Sequence, residues 1–81
     1  MLIPDKYTSF KASVISVAAE VIKILKLNRK LRYNKVLELV INQLGDASKY
    51  EFQSALNFLF LLGKINYNFE TDSLEIDDEI E

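Results

Sequence analysis

Gln53 and Asn57 lie four residues apart in "SKYEFQSALNFLFLL", and residues at that spacing share one face of a helix. Their amides have the donor and acceptor pattern that pairs with adenine in the major groove of DNA. A DNA reader also needs cations, because phosphate contacts supply most of the affinity. The helix face in question, with Tyr50, Gln53, Ser54, Asn57 and Leu61, has no arginine, and only Lys49 and Lys64 flank it. The segment that follows has the wrong sign: between Ile65 and Ile76 it holds no base and three acids, Glu70, Asp72 and Glu75. Sorted by face and charge, this stretch suits contact with protein better than direct DNA reading.

Cations do gather elsewhere. Lys23, Lys26, Arg29, Lys30, Arg32 and Lys35, six of the ten bases in the chain, fall in one thirteen-residue window without an acid. They could touch nucleic acid or an acidic partner surface. They equally suit a solvated helix end, where the dipole favours positive charge. The net charge of −2 hides this unevenness: residues 70–81 carry seven acids and no base, so residues 1–69 carry ten bases against five acids.

Tools for catalysis are few. The chain has no histidine and no cysteine, which removes the usual general base, the commonest metal ligands and any disulfide. Asp77, Asp78, Glu79 and Glu81 could meet a hard cation, but an acidic end without a fixed turn offers no preorganised site. With Gly45 and Gly63 the only glycines, no phosphate-binding loop can be built. The expectation is a non-enzymatic protein without cofactor or metal.

Hydrophobic residues make up 49% of the 81 and charged residues 27%, a balance that folds as one small domain rather than staying disordered. The opening "MLIPDKYTSF" lacks the charged and apolar regions of a signal peptide, and no run reaches the roughly 18 apolar residues of a membrane span. A cytoplasmic protein is expected.

The elements that must position these side chains follow from periodicity. Residues 1–8, with the only proline at Pro4, read as an extended arm. A helix begins near Ser9 or Phe10, and its Val14, Ile15, Val17, Ala18, Val21, Ile22, Ile24 and Leu25 cover half the circumference. Asn28 suits its end. "KLRY", residues 30–33, reads as a short strand, followed by a helix capped by Asn34 and closed by Gly45. Ser48 and Glu51 have capping-box spacing at the start of a third helix. Its apolar arc is Phe52, Ala55, Leu56, Phe58, Leu59, Phe60 and Leu62, and Gly63 ends it. Ile65, Tyr67 and Phe69 then alternate with Asn66 and Asn68, and Leu74 with its neighbours forms the return strand of a hairpin.

The expected fold is mainly α with a C-terminal β-hairpin: helix, short strand, helix, helix, hairpin, the order of a winged helix. It divides as an extended arm at 1–8, a winged-helix domain at 9–76 and an acidic tail at 77–81. Phe58 and Leu61 sit near opposite edges of the third helix's arc, so in so small a domain apolar surface should reach solvent, where it marks protein contacts. Tyr50 and Tyr67 join them as candidate partner-binding residues. A homodimer through the first helix is a further possibility.

The opening arm with Pro4 and Lys6, the apolar helix "VISVAAEVIKILK" and the block Ala55, Leu56, Phe58, Leu59, Leu62, Gly63, Ile65 and Tyr67 before "DSLEI" resemble the small middle components of bacterial ABC-three-component conflict systems. The similarity spans nearly the whole chain, and its motifs are packing motifs. It implies a non-catalytic adaptor encoded between an SMC-like ABC ATPase and an effector, often a nuclease. Such systems, the Lamassu group among them, are linked to defence against phages and plasmids. DNA contact would then be indirect or weak, and Pro4 and Lys6 would join the partner-binding set. The alternative is a winged-helix transcriptional regulator that reads DNA through Gln53, Asn57 and the basic window.

Overall fold

The computed structural model describes the backbone of residues 6–77 and the side chains of residues 13–77. The elements are α1 (Lys6–Asn28), β1 (Lys30–Arg32), α2 (Tyr33–Leu44), a single 3-10 turn (Asp46–Ser48), α3 (Lys49–Leu61), β2 (Ile65–Asn68) and β3 (Ser73–Ile76). The expected order of helix, short strand, helix, helix and hairpin is present. Pro4 and the acids beyond Asp77 lie outside the described residues. α1 is already helical at Lys6, so positions 6–8 belong to it and not to an arm. The constraint of a proline falls on the residue before it, and Lys6, Tyr7 and Thr8 contain no helix breaker.

α1 carries the core. Val17, Ala18, Val21, Ile24 and Leu25 are buried along one stripe, the spacing that an amphipathic helix requires. Ile15, assigned to the same arc, is exposed. The helix stops through two devices. Asn28 Nδ2 donates to the Ile24 carbonyl at 2.8 Å, and Arg29 turns left-handed at φ 66°, its N–H donating to the Leu25 carbonyl at 2.6 Å. The Arg29 carbonyl then accepts from Ile76 N–H at 3.0 Å, which launches β1 straight into the sheet.

The sheet order is β1-β3-β2 with both pairings antiparallel. Leu31 faces Leu74, and Tyr67 faces Leu74 from the other side. Leu74 and Ile65 are fully buried and close the helical core over Val36, Val40, Phe52, Leu56 and Leu59. This short strand with its hairpin is the wing, and it seals one side of the three-helix cluster.

Two caps differ from the expected ones. Asn34 lies inside α2, which begins at Tyr33 with Arg32 as an N-cap that makes no side-chain bond. The sheet ladder runs one residue past β1, so Tyr33 N–H is taken by the Asp72 carbonyl at 2.9 Å. The capping box is also absent. Ser48 has helical angles, and its Oγ donates back to the Gly45 carbonyl at 2.7 Å instead of forward into α3. A 3-10 turn feeding directly into a helix already satisfies the backbone groups that a box would serve.

Both glycines act as expected. Gly45 ends α2 at φ 100°, and Gly63 follows α3 at φ 73°. At the second stop Gly63 N–H donates to the Phe60 carbonyl and Lys64 N–H to the Leu59 carbonyl, each at 3.0 Å. This paired arrangement is the Schellman motif, and it turns the chain from α3 into β2.

The expected alternation of the hairpin holds only in part. Ile65 is buried, but Phe69 lies beyond β2 and is 86% exposed. Asn68 ends the strand, its Oδ1 accepting from the N–H groups of Glu70 at 2.9 Å and Thr71 at 3.2 Å. Such an Asx turn bends the chain before Phe69 can take a ladder position.

Candidate functional site

Four residues of α3 face the core: Phe52, Ala55, Leu56 and Leu59. At about 100° per residue this leaves a wide outer arc, and much of it is apolar. Phe60 and Leu62, on the apolar arc by sequence, are exposed, as is Phe58 at the edge of that arc. The reason is the width of the contact: α1 on one flank and the wing on the other cover only the central stripe. The expected partner residues Leu61 (87% exposed), Tyr50 (74%) and Phe58 (41%) reach solvent.

These residues do not form one patch. Tyr50 and Leu61 share the face directly opposite the core, about 16 Å apart along the axis. Phe58 and Leu62 lie on one flank of that face. Phe60, with Gln53, lies on the other and meets Tyr67 of the wing in an open groove of about 410 Å³ lined by Tyr33, Gln53, Leu56, Phe60, Tyr67, Asp72 and Leu74. Leu56 and Leu74 are buried there, so the groove has an apolar floor.

Its rims are polar and ordered. Tyr33 Oη donates to Gln53 Oε1 at 3.0 Å, and Gln53 Nε2 donates to Asn57 Oδ1 at 3.1 Å. The two amides that sequence marks as base readers are therefore tied to each other and to α2. Opposite them, the Tyr67 hydroxyl donates to Asp72 Oδ1. That bond to a carboxylate, with partial desolvation and the Asp72 charge, raises the Tyr67 pKa above its ordinary value, so the hydroxyl is a proton donor at neutral pH. Tyr67 and Phe69 pack edge to face at 5.2 Å, as do Tyr33 and Phe52 at 5.3 Å. Such pairs hold large rings in fixed positions. A groove of this kind can seat an apolar side chain and offer a carboxylate to a neighbouring cation.

The basic residues occupy the end of α1, β1 and the start of α2. Three of them find acids outside their own window: Lys23 with Glu20 at 3.9 Å, Lys30 with Glu75 at 3.4 Å and Lys35 with Glu38 at 3.7 Å. Among the described residues, no carboxylate lies within ion-pair distance of Lys26 or Arg32. Lys6 opens α1, and its side chain lies outside the described residues, as does Pro4. Among the described residues no acidic cluster could hold a metal ion, and no helix is long and apolar enough to cross a membrane.

Tyr33 and Asp72 are the groove residues that the sequence does not mark. Tyr33 sits at the junction of a strand and a helix, and Asp72 in a turn, and nothing local joins two positions so far apart in the chain. Phe60 could have been suspected, since it stands some 80° from Phe52 on a helical wheel.

Comparison with known proteins gives one informative result. The model of the family described as ABC-three component (ABC-3C) system Middle Component 8 matches residues 29–77, more than half of the chain and everything from β1 to the end of the wing. No curated protein and no solved structure matches.

Proposed function

The chain belongs to the Middle Component 8 family of ABC-three-component systems, and from that premise we propose that it is a non-catalytic adaptor joining an SMC-like ABC ATPase to an effector, often a nuclease. The complex would act in the cytoplasm against phages or plasmids. The observation that carries this reading is the apolar outer surface of α3 and the wing, where Leu61 and Phe69 are each more than 80% exposed. Large apolar side chains left in water beside an ordered groove are what a docking subunit presents.

The test is co-expression with the neighbouring gene products, followed by pull-down on this chain. Capture of both an ATPase and an effector supports the reading. A well-behaved monomer that retains neither would sink it.

Lys26 and Arg32, which lack an ion pair among the described residues, favour a secondary role for the basic end against DNA in the assembled complex. Gel-shift titration at two salt concentrations checks it. Affinity that falls steeply with salt and is lost in the Lys26→Glu, Arg32→Glu double variant supports phosphate contact.

A further inference from the structure

The groove between α3 and the wing is lined by three aromatic residues, Tyr33, Phe60 and Tyr67, and by one charged residue, Asp72. Among the described residues no lysine or arginine lines it, and none lies within ion-pair distance of Asp72. The Tyr67 hydroxyl occupies Oδ1 of that carboxylate, and Oδ2 has no partner among the described residues. Gln53 Oε1 accepts one hydrogen bond, from Tyr33, and an amide oxygen has a second lone pair to offer. Unused acceptors therefore stand beside aromatic rings, over the apolar floor of Leu56 and Leu74.

This set favours a cation, because ring faces attract positive charge and so does a carboxylate. Among side chains arginine fits it best. Its planar guanidinium is weakly hydrated, stacks on rings and presents a fork of N–H donors that can serve a carboxylate and an amide oxygen together, whereas the lysine ammonium is a strongly hydrated point charge. The wing adds to the field: Glu70, Asp72 and Glu75 face no base between Ile65 and Ile76, and of these acids only Glu75 holds a cation, Lys30, at 3.4 Å. Tyr33 is braced edge to face on Phe52 and Tyr67 on Phe69, and rings already in place lower the ordering cost of binding. The volume of about 410 Å³ is near the lower end of the roughly 300–1,000 Å³ of small-molecule pockets. That is room for one or two side chains and not for a helix.

We propose that the groove captures an arginine side chain carried on an exposed segment of a partner subunit. The guanidinium pairs with Asp72 Oδ2 and Gln53 Oε1, and its aliphatic stem lies on Leu56 and Leu74 beside Phe60 and Tyr67. Charge selects this occupant. A two-fold contact between copies through the groove would bring two Asp72 carboxylates and two acidic wings together, and nucleic acid would bring phosphates to the same acids. This inference rests on the adaptor reading and names what the docking recognises.

Photocrosslinking of the co-expressed complex tests it, with Phe60→p-benzoylphenylalanine in this chain and mass spectrometry of the joined peptides. The expected product is a peptide of the ATPase or the effector with an arginine within a few residues of the crosslink. A double-mutant cycle then pairs Asp72→Asn with glutamine in place of that partner arginine. Asparagine tolerates the φ of 52° at position 72, and a thermal midpoint within a few degrees of the parent shows that the wing has kept its fold. Each change alone should weaken binding about tenfold, and the two together no more than either one. The partner variant leaves this chain untouched, so its result stands whatever Asp72→Asn does to the fold. A loss below threefold there, losses that multiply in the cycle, or full binding with lysine in place of the arginine overturns the proposal. So does a crosslink to a partner segment without arginine, to a second copy of this chain or to nucleic acid. If the complex forms and no crosslink appears, the groove is not where the partner docks and the adaptor reading stands. If no complex forms, both fall.

Discussion

The backbone N–H of Tyr33 donates to the carbonyl of Asp72 at 2.9 Å, so the first turn of α2 is held by the turn of the wing. The same two residues both line the groove. Tyr33 reaches Gln53 through its hydroxyl, and Asp72 receives the hydroxyl of Tyr67. One backbone bond therefore couples the start of a helix, the outer face of α3 and the tip of the hairpin. The groove is fixed by the fold and does not wait for a partner to form it.

Asp72 tests how that coupling depends on charge. It adopts φ 52°, a conformation that asparagine also tolerates, so Asp72→Asn should keep the turn and remove the carboxylate. The Tyr67 pKa, raised chiefly by its bond to Asp72, should then fall toward its ordinary value. The sign follows from linkage. A raised pKa in the folded state means that the fold binds the proton more tightly, so this contribution is complete below about pH 10, the unfolded value, and is lost as pH rises through the folded value. Following the Tyr67 ring signals by NMR from pH 8 upward in both proteins checks the shift. Denaturant midpoints over the same range should decline less in the variant.

The two helix stops should respond differently to substitution. A Cβ at Gly63 or at Gly45 would meet no atom within 4 Å, so any cost comes from the backbone. Gly63, at φ 73° in a Schellman turn, should lose about 1–2 kcal/mol as alanine and less as asparagine. Gly45 combines φ 100° with ψ 163°, a region that is nearly glycine's alone. Asparagine should rescue the first site and fail to rescue the second. Urea denaturation of the four variants decides it.

Much of this architecture is legible in the chain, and the failures have a common cause. The stripe Val17, Val21, Ile24 and the stops at Gly45 and Gly63 are local features, so periodicity and glycine chemistry find them. Asn34 and Ser48 are misread because each has cap chemistry at cap spacing, while the groups they would serve are met from elsewhere: by Asp72 across the sheet, and by the 3-10 turn. Phe60 and Leu62 stand on the apolar arc in the sequence yet are exposed, because sequence shows which residues are apolar but not how many neighbours arrive to cover them. The groove joins residues 33, 53, 60, 67 and 72, and only the two sheet registers together with the packing of α3 bring that set together.

The absence of a capping box carries its own test. Glu51 makes no capping bond to the backbone of Ser48, so Glu51→Ala should cost only about 0.5 kcal/mol, the small share of an acid in a helix's first turn. Ser48→Ala removes a bond from a buried hydroxyl to the Gly45 carbonyl and should cost about 1 kcal/mol. Equal losses at the two positions would point to the reciprocal box instead.

Docking and folding should separate cleanly along α3. Phe52 is buried and packs edge to face on Tyr33, so Phe52→Ala should cost about 3–5 kcal/mol, enough to unfold much of so small a domain. Leu61, 87% exposed, touches little of its own chain. Leu61→Lys should leave the thermal midpoint within a few degrees of the parent. If the outer face is where partners sit, the same change removes a buried apolar anchor and leaves a lysine in its place, and pull-down of the neighbouring gene products should fall at least tenfold. Phe58→Lys, on the adjoining flank, separates a broad contact from a narrow one. Loss with both variants requires a partner that spans the outer face and the α1 side, and loss with Leu61→Lys alone confines the contact to the outer face and the groove side.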